Sequence, residues 1–115
     1  MENKEGLLEI GHLPNPLENP PWTNCSPISI SEILLVHADQ LISPEKAQRN
    51  QWATRDEHIR RIAYLVKNKD SRAITIITYN RGLPSPAWWW PIKDGNHRLA
   101  AAIVRGDDYI KSHFL

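Results

Sequence analysis

Only one cysteine is present, Cys25, so no internal disulfide can form. That fits a chain of a reducing, cytoplasmic compartment. The five histidines, His12, His37, His58, His97 and His113, show no metal-ligand spacing, and no Cys/His cluster exists. Neither a structural zinc nor a haem is expected. No apolar run approaches the roughly 20 residues of a membrane span. The first five residues lack the shape of a signal peptide, so no membrane partner is expected. The P-loop and dinucleotide glycine patterns are missing. No serine or cysteine sits in a recognisable nucleophile setting. Repeats and low-complexity blocks are missing as well. The net charge is only +1, which leaves a local basic patch open but excludes a strongly basic chain.

What remains is 115 residues, 41% apolar and 23% charged, enough for one soluble domain with a modest core. Residues 1–27 hold Pro14, Pro16, Pro20, Pro21 and Pro27. Proline fixes φ and removes a donor, so this segment reads as an extended arm rather than a helix or an inner strand. Leu7, Leu8, Ile10, Leu13 and Trp22 can pin it to a body spanning 28–115.

Ile28–Val36 alternates and then runs unbroken in isoleucine and leucine, which predicts a strand. A helix over 31–41 capped by Ser31 is the alternative. Ser43-Pro44-Glu45 starts a short surface helix ending near Trp52. Thr54 with Glu57 fits a capping box, and Ile59, Ile62, Ala63 and Val66 follow at helical spacing. That helix carries Arg55, His58, Arg60, Arg61 and Lys67 on its polar face. A solvated face is the default reading of them, and a path for nucleic acid through Arg55, His58 and Arg61 is the alternative. Ala73–Tyr79 is β-branched and reads as a central strand. Trp88–Lys93 reads as the next strand, and Tyr109–Leu115 as a closing one. In a strand, Trp88 and Trp90 share one face and Trp89 takes the other. One face belongs to the core. Base stacking, helix cover and a homodimer contact all stay open for the other. The element order predicts an α/β (α+β) single domain, a mixed β-sheet with packed helices.

Asp94-Gly95-Asn96-His97-Arg98 joins the Trp88–Lys93 strand to an alanine-rich helix that stops at Gly106. The glycine permits a sharp turn and the close approach of a ligand. A helix start has unpaired N–H groups and favours anions. His97 and Arg98 in the first turn call for a negative group opposite them, and a phosphate is the natural guest. Asp94 can orient His97, hold Mg²⁺, or cap the helix, and Asn96 can donate to a phosphate oxygen.

This motif and the element order of 27–115 resemble the ParB/sulfiredoxin-like superfamily. The resemblance implies a nucleotide site at the strand–glycine–helix junction, with ATP or CTP and Mg²⁺ as the expected ligands. Asn96 stands where sulfiredoxins carry a reactive cysteine, which excludes that thiol chemistry. Partition proteins carry an acidic-arginine-arginine motif and add a DNA-reading domain for which no room remains. Their upstream arginine box is matched loosely by Arg49. What the resemblance implies is a stand-alone phage or plasmid type. It would bind or hydrolyse a nucleoside triphosphate through Gly95, Asn96, His97, Arg98 and Arg49, with Asp94 and His97 catalytic. A nuclease acting on DNA at the same site is the second expectation. A non-catalytic protein that blocks a host protein through its arm and tryptophans is the third.

Overall fold

The computed structural model describes residues 4–46, 53–77 and 92–114. Among them, β1 (Lys4–Glu9), β2 (Ile74–Ile76), β3 (Ile92–Asp94) and β4 (Tyr109–Phe114) form one mixed sheet, in spatial order β1-β4-β2-β3. β1 is antiparallel to β4, with Gly6 opposite Ser112. β2 is parallel to β4, with Ile74 opposite Ser112. It is antiparallel to β3, with Thr75 opposite Asp94. Three α-helices accompany the sheet: α1 (Ile30–Leu34), α2 (Arg55–Lys67) and α3 (Asn96–Arg105). The class is a mixed α+β fold, as the element order predicts.

α2 forms for the reasons visible in its sequence. The Thr54 hydroxyl accepts the Glu57 N–H at 3.2 Å. Asp56 and Glu57 occupy the first turn and Lys67 the last, matching the helix dipole. Ile59, Ile62, Ala63 and Leu65 are buried along it.

α3 is the element on which the core is built. Four consecutive residues, Leu99 to Ala102, are buried, which requires packing on more than one side. Ala100 and Ala101 join Ile59, Ile62, Ala63, Leu17 and Ile28 in one cluster. Leu99 and Ala102 join Ile74, Ile76, Ile10 and Leu13 in the other. Alanine's small side chain lets α3 approach neighbours closely on both flanks. Gly106 ends the helix in the left-handed conformation, φ +78°, and its N–H bonds the Ile103 carbonyl at 3.1 Å.

The proline-rich segment is woven into this body. β1 sits at the sheet edge, and Ile10, Leu13 and Leu17 are buried. The Ile28 N–H donates to the Leu17 carbonyl at 2.9 Å.

The strand expected over Ile28–Val36 is corrected to a helix. Ser29 and Glu32 cap it reciprocally: the Ser29 Oγ accepts the Glu32 N–H at 3.3 Å, and the Glu32 carboxylate accepts the Ser29 N–H at 2.8 Å. The alternative of a helix capped by Ser31 starts two residues too late. An alternation of only four residues could not outweigh this local box.

Arg55 then fastens the segment to α2. It donates to both Glu32 oxygens at 2.9 Å and to the carbonyls of Ser26 and Pro27 at 3.3 and 2.7 Å. The helix expected from Ser43 shows a first turn, with Lys46 N–H on the Ser43 carbonyl at 3.0 Å. Its continuation to Trp52, with Arg49, lies outside the described residues. So do Thr78, Tyr79, Trp88, Trp89 and Trp90.

Candidate functional site

Gly95 starts α3 at φ +102°, a left-handed conformation that suits glycine. A Cβ there would stand 2.5 Å from Ile74 Cγ2. The close approach that the missing Cβ permits is with Ile74 of β2. It sets the helix start hard against the middle of the sheet.

Among the described residues no side chain caps α3, whereas Ser29 and Thr54 cap α1 and α2. The first-turn amides of Asn96, His97 and Arg98 have no acceptor within the helix. The capping role expected of Asp94 is thus corrected. Glycine, not Asp94, is the N-cap residue, and the Asp94 carboxylate accepts from Arg98 Nη2 at 3.2 Å instead.

A cleft of about 530 Å³ opens at this helix start. Arg61, Arg72, Lys93 and Arg98 line it, opposed by the carboxylates of Asp70 and Asp94. Asn96 lines it as well.

His97 does not lie on that surface as a cation. Its Nε2 meets His58 Nδ1 at 2.9 Å. Trp22 lies across both rings, with centroid separations of 4.5 Å to His58 and 4.4 Å to His97 and interplanar angles of 15° and 25°. Burial, the Arg61 charge and His58 push the His97 pKa down to about 2. Burial and Arg61 push His58 down to about 4 against the opposing pull of Glu57. Both imidazoles are neutral at pH 7, and one must donate while the other accepts. His58, not Asp94, orients His97.

Arg98 is also more occupied than its place in the motif suggests. Its Nη1 donates to the carbonyls of Arg72 and Ala73, both at 2.9 Å. It thereby ties α3 to the loop before β2.

The basic stretch of α2 does not form one face. Arg55 turns to Glu32, His58 is buried in the wall of the cleft, and Arg61 is the one of the three that brings a positive charge to it. The polar-face placement of His58 is corrected accordingly. Sequence reasoning missed Asp70 and Arg72. Arg72 grips the Asp70 carboxylate through Nε at 3.0 Å and Nη2 at 2.6 Å, holding the Asp70 pKa down to about 2. Both residues follow α2 in a short polar turn, where a carboxylate and an arginine two residues apart are the one local signal.

Together these features define an α+β domain with a cationic cleft at an uncapped helix start. No protein-family model matches the chain, and neither a curated protein nor a solved structure resembles it closely enough to carry an assignment.

Proposed function

We propose that the chain is a ParB/sulfiredoxin-like domain that binds a nucleoside triphosphate or another phosphorylated ligand at the Gly95 junction. The observation that carries this reading is the cleft. It combines a helix start without a side-chain cap and four cationic side chains, Arg61, Arg72, Lys93 and Arg98. Amides of a first turn and a ring of cations are complementary to phosphate oxygens.

Hydrolysis, if it follows binding, proceeds by positioning and charge stabilisation of the phosphate chain. In that reading neutral His97 acts as a fixed polar group rather than an imidazolium. Asp94, whose side chain is 75% exposed, fits a Mg²⁺ ion that arrives with the phosphates, since such ions take one or two carboxylates. The metal would supply charge neutralisation there.

Isothermal calorimetry with ATP, CTP and inorganic tripolyphosphate, with and without Mg²⁺, tests the reading. Saturable binding that weakens with salt is expected. Absence of heat with all three would sink it.

A second reading, docking on a host protein, is favoured by one observation. Ile30, Leu34 and Leu35 on and beside α1 are exposed. Within the arm, Leu13 and Leu17 are spent on the core, while Leu7 stays exposed.

A further inference from the structure

Resting on the reading of the cleft as an anion site, we propose that Arg72, rather than Arg98, is the guanidinium that grips the ligand. The ligand class is an anion with at least two negative groups along its length.

The two arginines differ in how their donors are used. Arg98 is 12% exposed and spends Nη1 on two carbonyls and Nη2 on Asp94. It is a positioning residue for the loop that carries Arg72. The Arg72 side chain is 66% exposed. Asp70 engages one edge of its guanidinium, Nε and Nη2. Its Nη1 has no partner among the described residues, so the Nη1/Nη2 end, which keeps one hydrogen on Nη2 as well, is left for a planar, two-pronged contact with an anion.

That open edge is held in place. Asp70 is 16% exposed, and its Oδ1 also accepts the Arg72 N–H at 2.9 Å. Arg98 fixes the carbonyls of Arg72 and Ala73 from the other side. A guanidinium locked on one side gives up little freedom when an anion takes the other.

Arg72 also stands where cavities meet. It lines the cleft at the α3 start and a neighbouring cavity of about 240 Å³. The second cavity carries Lys69 and Lys111, and its cations outnumber its carboxylates, Asp70 and Asp107. Arg98 and Asp70 line both cavities as well, but of the two arginines shared by the cavities Arg72 is the more exposed, so an anion anchored at the α3 start that extends toward Lys69 meets its guanidinium. A single phosphate would leave the second cavity unused.

Calorimetry with inorganic phosphate and inorganic tripolyphosphate tests this on wild type, Arg72→Ala, Arg72→Lys and Arg98→Ala, with melting temperatures taken in parallel. Wild type is expected to bind tripolyphosphate at least tenfold more tightly than phosphate. Arg72→Ala is expected to remove most of that difference, with a melting temperature lowered by the loss of the Asp70 pair but by less than in Arg98→Ala. Arg72→Lys keeps the charge but loses the fork, and should fall between. Arg98→Ala should lower the melting temperature. Tripolyphosphate affinity unchanged in Arg72→Ala overturns the assignment and leaves the cleft reading standing. Binding lost in Arg98→Ala at an unchanged melting temperature also overturns it. Wild type that binds neither probe removes the cleft reading and this inference with it.

Discussion

His58 Nδ1 and His97 Nε2 meet at 2.9 Å beneath the indole of Trp22, so three residues from distant parts of the chain share one stacked cluster. The cluster joins the proline-rich segment, α2 and the start of α3. It also places two uncharged imidazoles in the wall of a cleft rich in cations.

Acid should destabilise the fold through this pair. Unfolded imidazoles titrate near 6.5, whereas folded His58 is held near 4 and His97 near 2. Between pH 6.5 and 4 the unfolded chain binds more protons than the folded one. Stability is therefore complete above about pH 6.5 and falls as pH drops through that window, by roughly 1 kcal/mol per pH unit for each histidine. Glu32 and Asp70, both lowered to about 2 by their arginines, add a further loss below their ordinary carboxyl range. Urea unfolding between pH 4 and 8 reads the slope. A profile that is flat from 8 to 4 rejects the account.

Trp22→Ala should open the imidazoles to water. The His58 pKa is then expected to climb from about 4 toward 6.5, because burial is the largest cause of its depression. Titration of the imidazole carbons by NMR measures it, and an unmoved His58 counts against the stacking account.

Gly95→Ala combines an unfavourable backbone conformation with a Cβ 2.5 Å from Ile74. A loss of about 2–5 kcal/mol is expected from strain and overpacking together. Chemical denaturation measures it. A loss under about 1 kcal/mol would show that the junction relaxes freely.

Asn96→Asp separates stability from binding. A carboxylate in the first turn suits the helix dipole and should stabilise α3 by about 0.5 kcal/mol. The same charge sits where the ligand's negative groups are proposed to lie. A melting temperature that is unchanged or raised, with tripolyphosphate affinity lowered at least tenfold, is the expected pair of results. Unchanged affinity would place the anion elsewhere.

Arg55→Ala should loosen the link between α2 and the proline-rich segment. The Arg55–Glu32 pair is partly exposed, so solvent screening limits the loss to roughly 1 kcal/mol. Hydrogen exchange should speed up at the Ile28 amide, which bonds to Leu17, and stay unchanged within α3. Equal acceleration at both places would point to global unfolding instead.

Local chemistry made α2 and α3 legible. Thr54 with Glu57, and the glycines at 95 and 106, mark those helices within a few residues of chain. α1 was harder, because Ile28-Ser29-Ile30-Ser31 satisfies an alternating pattern and the Ser29–Glu32 box at once, and the side-chain hydrogen bonds decide. β1 has no β-branched residue in Lys4–Glu9. Its strand state comes from pairing with β4, a partner more than a hundred residues away, which no local pattern announces. The same holds for the cleft. Asp94, Asn96 and Arg98 could be found in one motif. Asp70 and Arg72, and the meeting of Trp22 with His58 and His97, are products of tertiary packing.

The order β1-β4-β2-β3 also sets a timetable for folding. β4 is made after the other three strands yet lies between β1 and β2, so β1 has no strand partner, and β2 only β3, until residues 109–114 have been synthesised. During translation the helices can assemble early while two strands wait with bare edges. Removing the last six described residues would not fray a margin; it would split the sheet down its middle.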